Sequence, residues 1–119
     1  MKTKDKAIWI PSGKEYEAIE IENIYYCESD NQYTIFYIND GIDRKIVASK
    51  GLSEWERQLE GHNFCRIHSQ ILVNLHHVKK FINNKVGIVV LTNNKHLSVS
   101  QSKKQKFMEF IGIKELNSN

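Results

Sequence analysis

The run Tyr33–Ala48, YTIFYINDGIDRKIVA, decides the fold class. Its first part, Tyr33–Ile38, is built from β-branched and aromatic residues, the types that pack best on a pleated, half-buried surface. Asn39-Asp40-Gly41 follows, and its Asp-Gly pair is a hairpin signal because both residues accept the positive φ of tight connections. Lys45–Ala48 is then the return strand. The same pattern recurs on either side. Upstream, Ala7–Ile10 ends at the turn cluster Pro11-Ser12-Gly13, Glu15–Ile21 alternates in part, and Ile24–Cys27 is a short run rich in aromatic residues. Downstream, Phe64–Leu75 (FCRIHSQILVNL) reads as one strand or as a turn-interrupted pair. Val78–Ile82 and Val86–Leu91 flank Asn83-Asn84, and His96–Val99 follows Thr92-Asn93-Asn94. Short strands punctuated by turn residues predict an all-β antiparallel domain.

Two segments break the strand pattern. Ser53–Glu60 is a short helix: Ser53 and Glu56 have the spacing of a capping box, Leu52, Trp55 and Leu59 form an apolar edge, and Gly61 is a stop. A second helix starts near Ser102, with Phe107, Phe110 and Ile111 at i, i+3 and i+4. Lys103, Lys104 and Lys106 crowd its first turns, where the helix dipole disfavours positive charge, so a counter-anion such as phosphate is a motive for placing them there.

At 119 residues the chain fits one domain, and Met1–Lys6 is expected to fray. No apolar run approaches the ~18 residues of a membrane span, and MKTKDKAIWI lacks the apolar stretch of a signal peptide. A cytoplasmic protein is expected, with Cys27 and Cys65 as reduced thiols. Net charge is divided unevenly. Residues 1–60 hold 8 Lys/Arg against 12 Asp/Glu, a net −4, whereas residues 61–119 hold 9 against 2, a net +7. Such a split fits a polyanion partner for the second half, or a basic face that is merely solvated.

Chemistry-bearing constellations are sparse. Cys65-x-x-His68 lacks a second chelating pair, so no metal is expected. No glycine-rich phosphate loop or nucleophile-base arrangement occurs, so neither an enzyme nor a cofactor is expected.

Three blocks in order carry a family resemblance: IYYCESDNQYTIFYI from Ile24, KGLSEWERQLEGHNFCRIHSQILVNLHHVKKF from Lys50, and LTNNKHLSVSQSKKQKF from Leu91. Together they resemble the LytTR family of bacterial DNA-binding domains. The resemblance implies a mainly β domain of about ten short strands in stacked antiparallel sheets with one or two short helices. It also implies that loops, not a recognition helix, enter the major groove of duplex DNA. Residues 14–119 would form that domain, with 1–13 a linker tail or first strand. The usual setting is C-terminal to a receiver domain in a two-component response regulator, so the chain resembles an excised output domain or a small stand-alone regulator.

The implied reading set falls in three places. One is the acidic turn, where Asn31, Gln32 and Thr34 follow Asp30. The second is Arg66 and His68 with the Ser69-Gln70 pair after them. The third is Gln101 and Ser102, with Lys103 and Lys104 near the backbone. Amides and hydroxyls suit base edges, and lysines suit phosphates. Many relatives carry Arg or Lys at the position of Ser69 and Arg at that of Gln101, so this chain has less charge there. The expected partner is double-stranded DNA with repeated half-sites, bound by paired copies of a domain that is monomeric alone.

Structural roles compete for several of these residues. Arg66 could instead anchor its own loop through Glu28 or Asp30, His68 could be a packing residue, and Asn74 could cap a turn. Tyr25, Tyr26, Tyr33 and Tyr37 could stack on single strands, although strand aromatics more often belong to the core. A β-rich protein-interaction module without nucleic-acid binding is the alternative function.

Overall fold

The computed structural model describes residues 6–113, so the fraying expected of residues 1–5 lies outside the described residues. Among the described residues, ten strands form three antiparallel sheets with two helices, the mainly β architecture expected. Strands β1 (Ala7–Ser12) and β2 (Glu15–Glu20) make a hairpin. The central sheet has the order β5-β4-β3-β7-β6, built from β3 (Ile24–Asp30), β4 (Tyr33–Asn39), β5 (Asp43–Ala48), β6 (Phe64–His68) and β7 (Ile71–Asn74). A third sheet contains β8 (Val78–Asn83), β9 (Gly87–Leu91) and β10 (His96–Val99) in the order β10-β9-β8. Helix α1 (Leu52–Gln58) bridges β5 and β6, and α2 (Gln101–Phe110) follows β10.

The central sheet is the middle layer, because its strands carry apolar residues on both faces. One face packs Phe36, Ile38, Ile46 and Leu72 against Ile8, Ile10 and Ile19 of the hairpin and Trp55 and Leu59 of the α1 segment. Trp55 meets Phe36 edge-on at 5.0 Å. The opposite face packs Tyr26, Ile67 and Val73 against Val89, Leu91, Leu97 and Val99 of the third sheet and Phe107 and Met108 of α2. β3 serves both cores through a bulge: pairing runs Ile24↔Ile38 and then Tyr26↔Tyr37, which leaves Tyr25 as an extra residue. The inserted residue shifts the period-2 alternation, so Ile24 and Cys27 face the hairpin core while Tyr25 and Tyr26 face the other.

The capping box at Ser53 does not form. Gly51 is the N-cap residue and makes no side-chain cap, and the helix runs Leu52–Gln58 rather than Ser53–Glu60. Glu56 is drawn away by the Arg66 guanidinium, whose charge-assisted hydrogen bond outcompetes a bond to a backbone amide. No helix among the described residues is long and apolar enough to cross a membrane.

Candidate nucleic-acid interface

The three segments expected to read DNA lie at one end of the molecule. β3 runs to Asp30 and pairs with β7 so that Glu28 lies opposite Ile71. The β3–β4 turn at Asn31-Gln32 and the β6–β7 turn at Ser69-Gln70 are therefore neighbours. The Ser29 amide donates to the Gln70 carbonyl at 3.0 Å and joins them. The third segment is attached through a bulge in β6. Arg66 pairs with Leu72 and His68 with Ile71, which leaves Ile67 extra. Its carbonyl, free of the ladder, accepts the Ser100 amide at 2.8 Å and holds the start of α2 against the sheet end.

Each turn presents exposed polar groups. Asn31 has φ 59, a left-handed conformation that asparagine tolerates better than most residues, and Asn31 and Gln32 are both exposed. In the second turn the His68 Nδ1 accepts the Gln70 amide at 3.2 Å, which fixes the turn while Ser69 and Gln70 remain exposed. Gln101 and Ser102 open α2, also exposed. Ser100, the N-cap residue, gives no side-chain cap, and its hydroxyl instead lies 3.5 Å from that of Ser102. The Lys103 amide turns back to the Ser100 carbonyl at 3.0 Å, while those of Gln101 and Ser102 have no side-chain cap, an arrangement suited to phosphate.

Two of the expected contact residues have partners inside the molecule. Thr34 is fully buried, and its hydroxyl donates to the Lys50 carbonyl at 2.8 Å. It shares a face with Phe36 and Ile38, which point into the core, so it has no surface to offer a base. Arg66 is anchored, but by neither Glu28 nor Asp30. It lies opposite Leu72, on the α1 face of the sheet, whereas Glu28 lies opposite Ile71 on the other face and accepts the Tyr37 hydroxyl at 3.0 Å. Arg66 instead meets Glu56 of α1 at 2.5 Å. Its Nε and Nη2 donate to the carbonyls of His68 and Ser69, buttressing the second turn from behind.

Lys104 donates to the Asn84 carbonyl of the β8–β9 turn at 2.9 Å, which brings a fourth segment to this end. The sequence marks Asn83-Asn84 as a turn, but an isolated Asn-Asn-Lys turn carries no signal of where it sits. Asn74 does cap a turn: its Oδ1 accepts the His76 amide at 3.0 Å. Tyr25 and Tyr26 are buried, which leaves no tyrosine platform for single strands, and only Tyr33 of the four is exposed. Among the described residues no three His, Cys, Asp or Glu side chains converge as a metal site would require.

Cys65 lines a cleft of about 410 Å³ between α1 and α2, with Lys103 and Lys106 on the same wall. Burial pushes its thiol up to about 11, and this outweighs the pull of the two lysines toward thiolate. At pH 8 a thiol of that kind is about a thousandth ionised, against about a tenth for an ordinary thiol of pKa 9. Iodoacetamide should therefore label Cys65 in the native protein about a hundredfold more slowly than a free thiol, the rate climbing toward pH 11. Labelling at the rate of a free thiol at pH 8 would contradict this.

Comparison with known proteins agrees with the geometry. The family model described as LytTr DNA-binding domain matches residues 14–112. The sensory transduction protein LytR of Staphylococcus saprophyticus is 29% identical over 115 residues, covering 94% of this chain and 44% of that protein. The chain thus spans less than half the length of this relative. Among solved structures, the LytTr DNA-binding domain of a Bacillus cereus protein described as a methyl-accepting/DNA response regulator superposes with a TM-score of 0.78 at 19% identity. That likeness covers 91% of this chain and 98% of the other. With matching blocks along the sequence, this fold and a family match across most of its length, the chain belongs to the LytTr DNA-binding domain family.

Proposed function

We propose that the domain binds double-stranded DNA sequence-specifically through the turns at 31–32 and 69–70 and the start of α2. In this reading it is the output part of a cytoplasmic two-component response regulator, has no enzymatic activity of its own, and controls transcription. The observation that supports this most is the pair of backbone hydrogen bonds, Ser29 to Gln70 and Ser100 to Ile67, which hold three polar segments as one rigid end. Pre-ordered segments lose little entropy on binding, so their contacts appear in the affinity. Asn31, Gln32, Ser69, Gln70, Gln101 and Ser102 are the candidates for base or sugar contact. Lys103 and the open amides of α2 are the candidates for phosphate, and Arg66 and His68 position the second turn. A single small domain reads few bases, so two copies should occupy half-sites about one helical turn apart. The free domain should sediment as a monomer.

Selection of bound duplexes from a random pool tests this reading and reports the site. The sharpest signature concerns Gln101, exposed at the first position of α2. Glutamine pairs bidentately with adenine N6 and N7, whereas arginine pairs with guanine O6 and N7. Gln101→Arg should therefore move one position of the selected site from adenine toward guanine, with discrimination of about 1–3 kcal/mol. Identical preferences in wild type and variant would remove Gln101 from the reading set.

A further inference from the structure

The β8–β9 turn is held at the binding end by three independent ties. Gly87 pairs with Val99, so the turn lies beside the residue that leads into α2. The Phe81 and Phe107 rings meet at 5.1 Å and lock β8 to α2. Gly87 permits this, because a Cβ there would sit 3.0 Å from the Phe81 ring. Lys104 closes the arrangement by donating to the Asn84 carbonyl. Asn84 and Lys85 are exposed, and Val86 beyond them is 57% exposed. The turn and the first turns of α2 contribute only positive charge, since the sequence has no Asp or Glu between Gly61 and Met108.

We propose that the Asn84-Lys85 turn is a fourth DNA-contacting segment, in which Lys85 neutralises a backbone phosphate beside the bases faced by α2. This rests on the duplex-binding reading above. Lys104 is then a positioning residue: part of its hydrogen-bonding capacity is spent on the Asn84 carbonyl, and that bond aims the turn. The contact carries no sequence information, but it fixes the register of the domain on the duplex.

The test compares Lys85→Ala with Lys79→Ala in the full chain, measuring affinity for the selected duplex and an unrelated duplex across salt concentrations. Both variants remove one positive charge. Lys79 lies at the opposite end, where its ammonium donates to Asn94 at 2.6 Å in the β9–β10 turn. Each phosphate neutralised contributes about 0.9 to the log–log salt slope, so Lys85→Ala should reduce the magnitude by about that amount on both duplexes. Between 50 and 200 mM salt the variant should therefore lose roughly 3.5-fold less affinity than wild type. Lys79→Ala should keep the wild-type slope. In a Lys104→Ala background, Lys85→Ala should change the slope by less, because the turn is no longer aimed. A wild-type slope for Lys85→Ala, or equal reductions from Lys85→Ala and Lys79→Ala, would overturn the proposal while leaving duplex binding intact. Absence of salt-dependent duplex binding by the wild-type chain would instead reject the parent reading and this one with it.

Discussion

Arg66→Ala is expected to weaken specific duplex binding roughly 30-fold, the equivalent of about 2 kcal/mol, without changing the salt slope. The guanidinium holds the second turn from inside the molecule, with Nη2 donating to the Ser69 carbonyl at 2.6 Å and Nη1 to Glu56 at 2.5 Å. Without it, the turn must be ordered when DNA binds, at about 1–2 kcal/mol for each residue newly fixed. Because Arg66 touches no phosphate in this account, no counter-ion release is lost. A direct phosphate contact would lower the slope by about 0.9, and that outcome would return Arg66 to the contact set. Glu56→Gln separates the two roles further. It weakens the anchor and should reduce affinity a few-fold, whereas removing an acid beside a DNA-gripping arginine should raise it.

Asn74→Ala should produce the largest loss of stability, about 3 kcal/mol or more, seen as a fall in the thermal midpoint of about 10 °C or more. Asn74 is 2% exposed at the end of β7. Its Nδ2 donates to the Ile24 carbonyl at 2.9 Å and to the Ile21 carbonyl at 3.4 Å, while its Oδ1 accepts the His76 amide. One side chain thus satisfies backbone groups in two separate turns, those leading into β3 and into β8. Alanine removes all three bonds, and although the Ile21 carbonyl keeps the Ile24 amide, each buried group left unpaired costs about 1–3 kcal/mol. Asn74→Asp is the discriminating variant. It keeps the shape and the acceptor but turns a carboxylate oxygen toward two carbonyls, so it should be at least as damaging as alanine. Near-normal stability of Asn74→Asp would mean that packing, not the donated bonds, is what matters.

Most strands were legible because they are short β-branched or aromatic runs with turn residues at their ends, although β2, EYEAIE, shows only partial alternation. The hairpin at 33–48 and the meander from Val78 to Val99 follow from that pattern alone. The bulges were not legible, since an extra residue at Tyr25 or Ile67 exists only relative to a partner strand. Yet the Ile67 bulge frees the carbonyl that binds α2 to the sheet end. The same blindness to pairing explains the partner of Arg66: which face a strand residue occupies depends on register, and register placed it toward Glu56 and away from Glu28. Thr34 could have been read correctly from its alternation with Phe36 and Ile38, two apolar residues on one face. The fourth segment needed tertiary structure, because only packing brings Asn84 within reach of Lys104.

Duplex DNA is expected to meet one end of the molecule. Backbone amide chemical shifts, followed while the selected duplex is titrated into the domain, test this most directly. The predicted result is perturbation at Asn31, Gln32, Ser69, Gln70, Lys85, Gln101 and Ser102, with little change at the opposite end around Gly41, Asn93 and Asn94. Perturbation centred on Gly41, Asn93 and Asn94, with the other set silent, would contradict it.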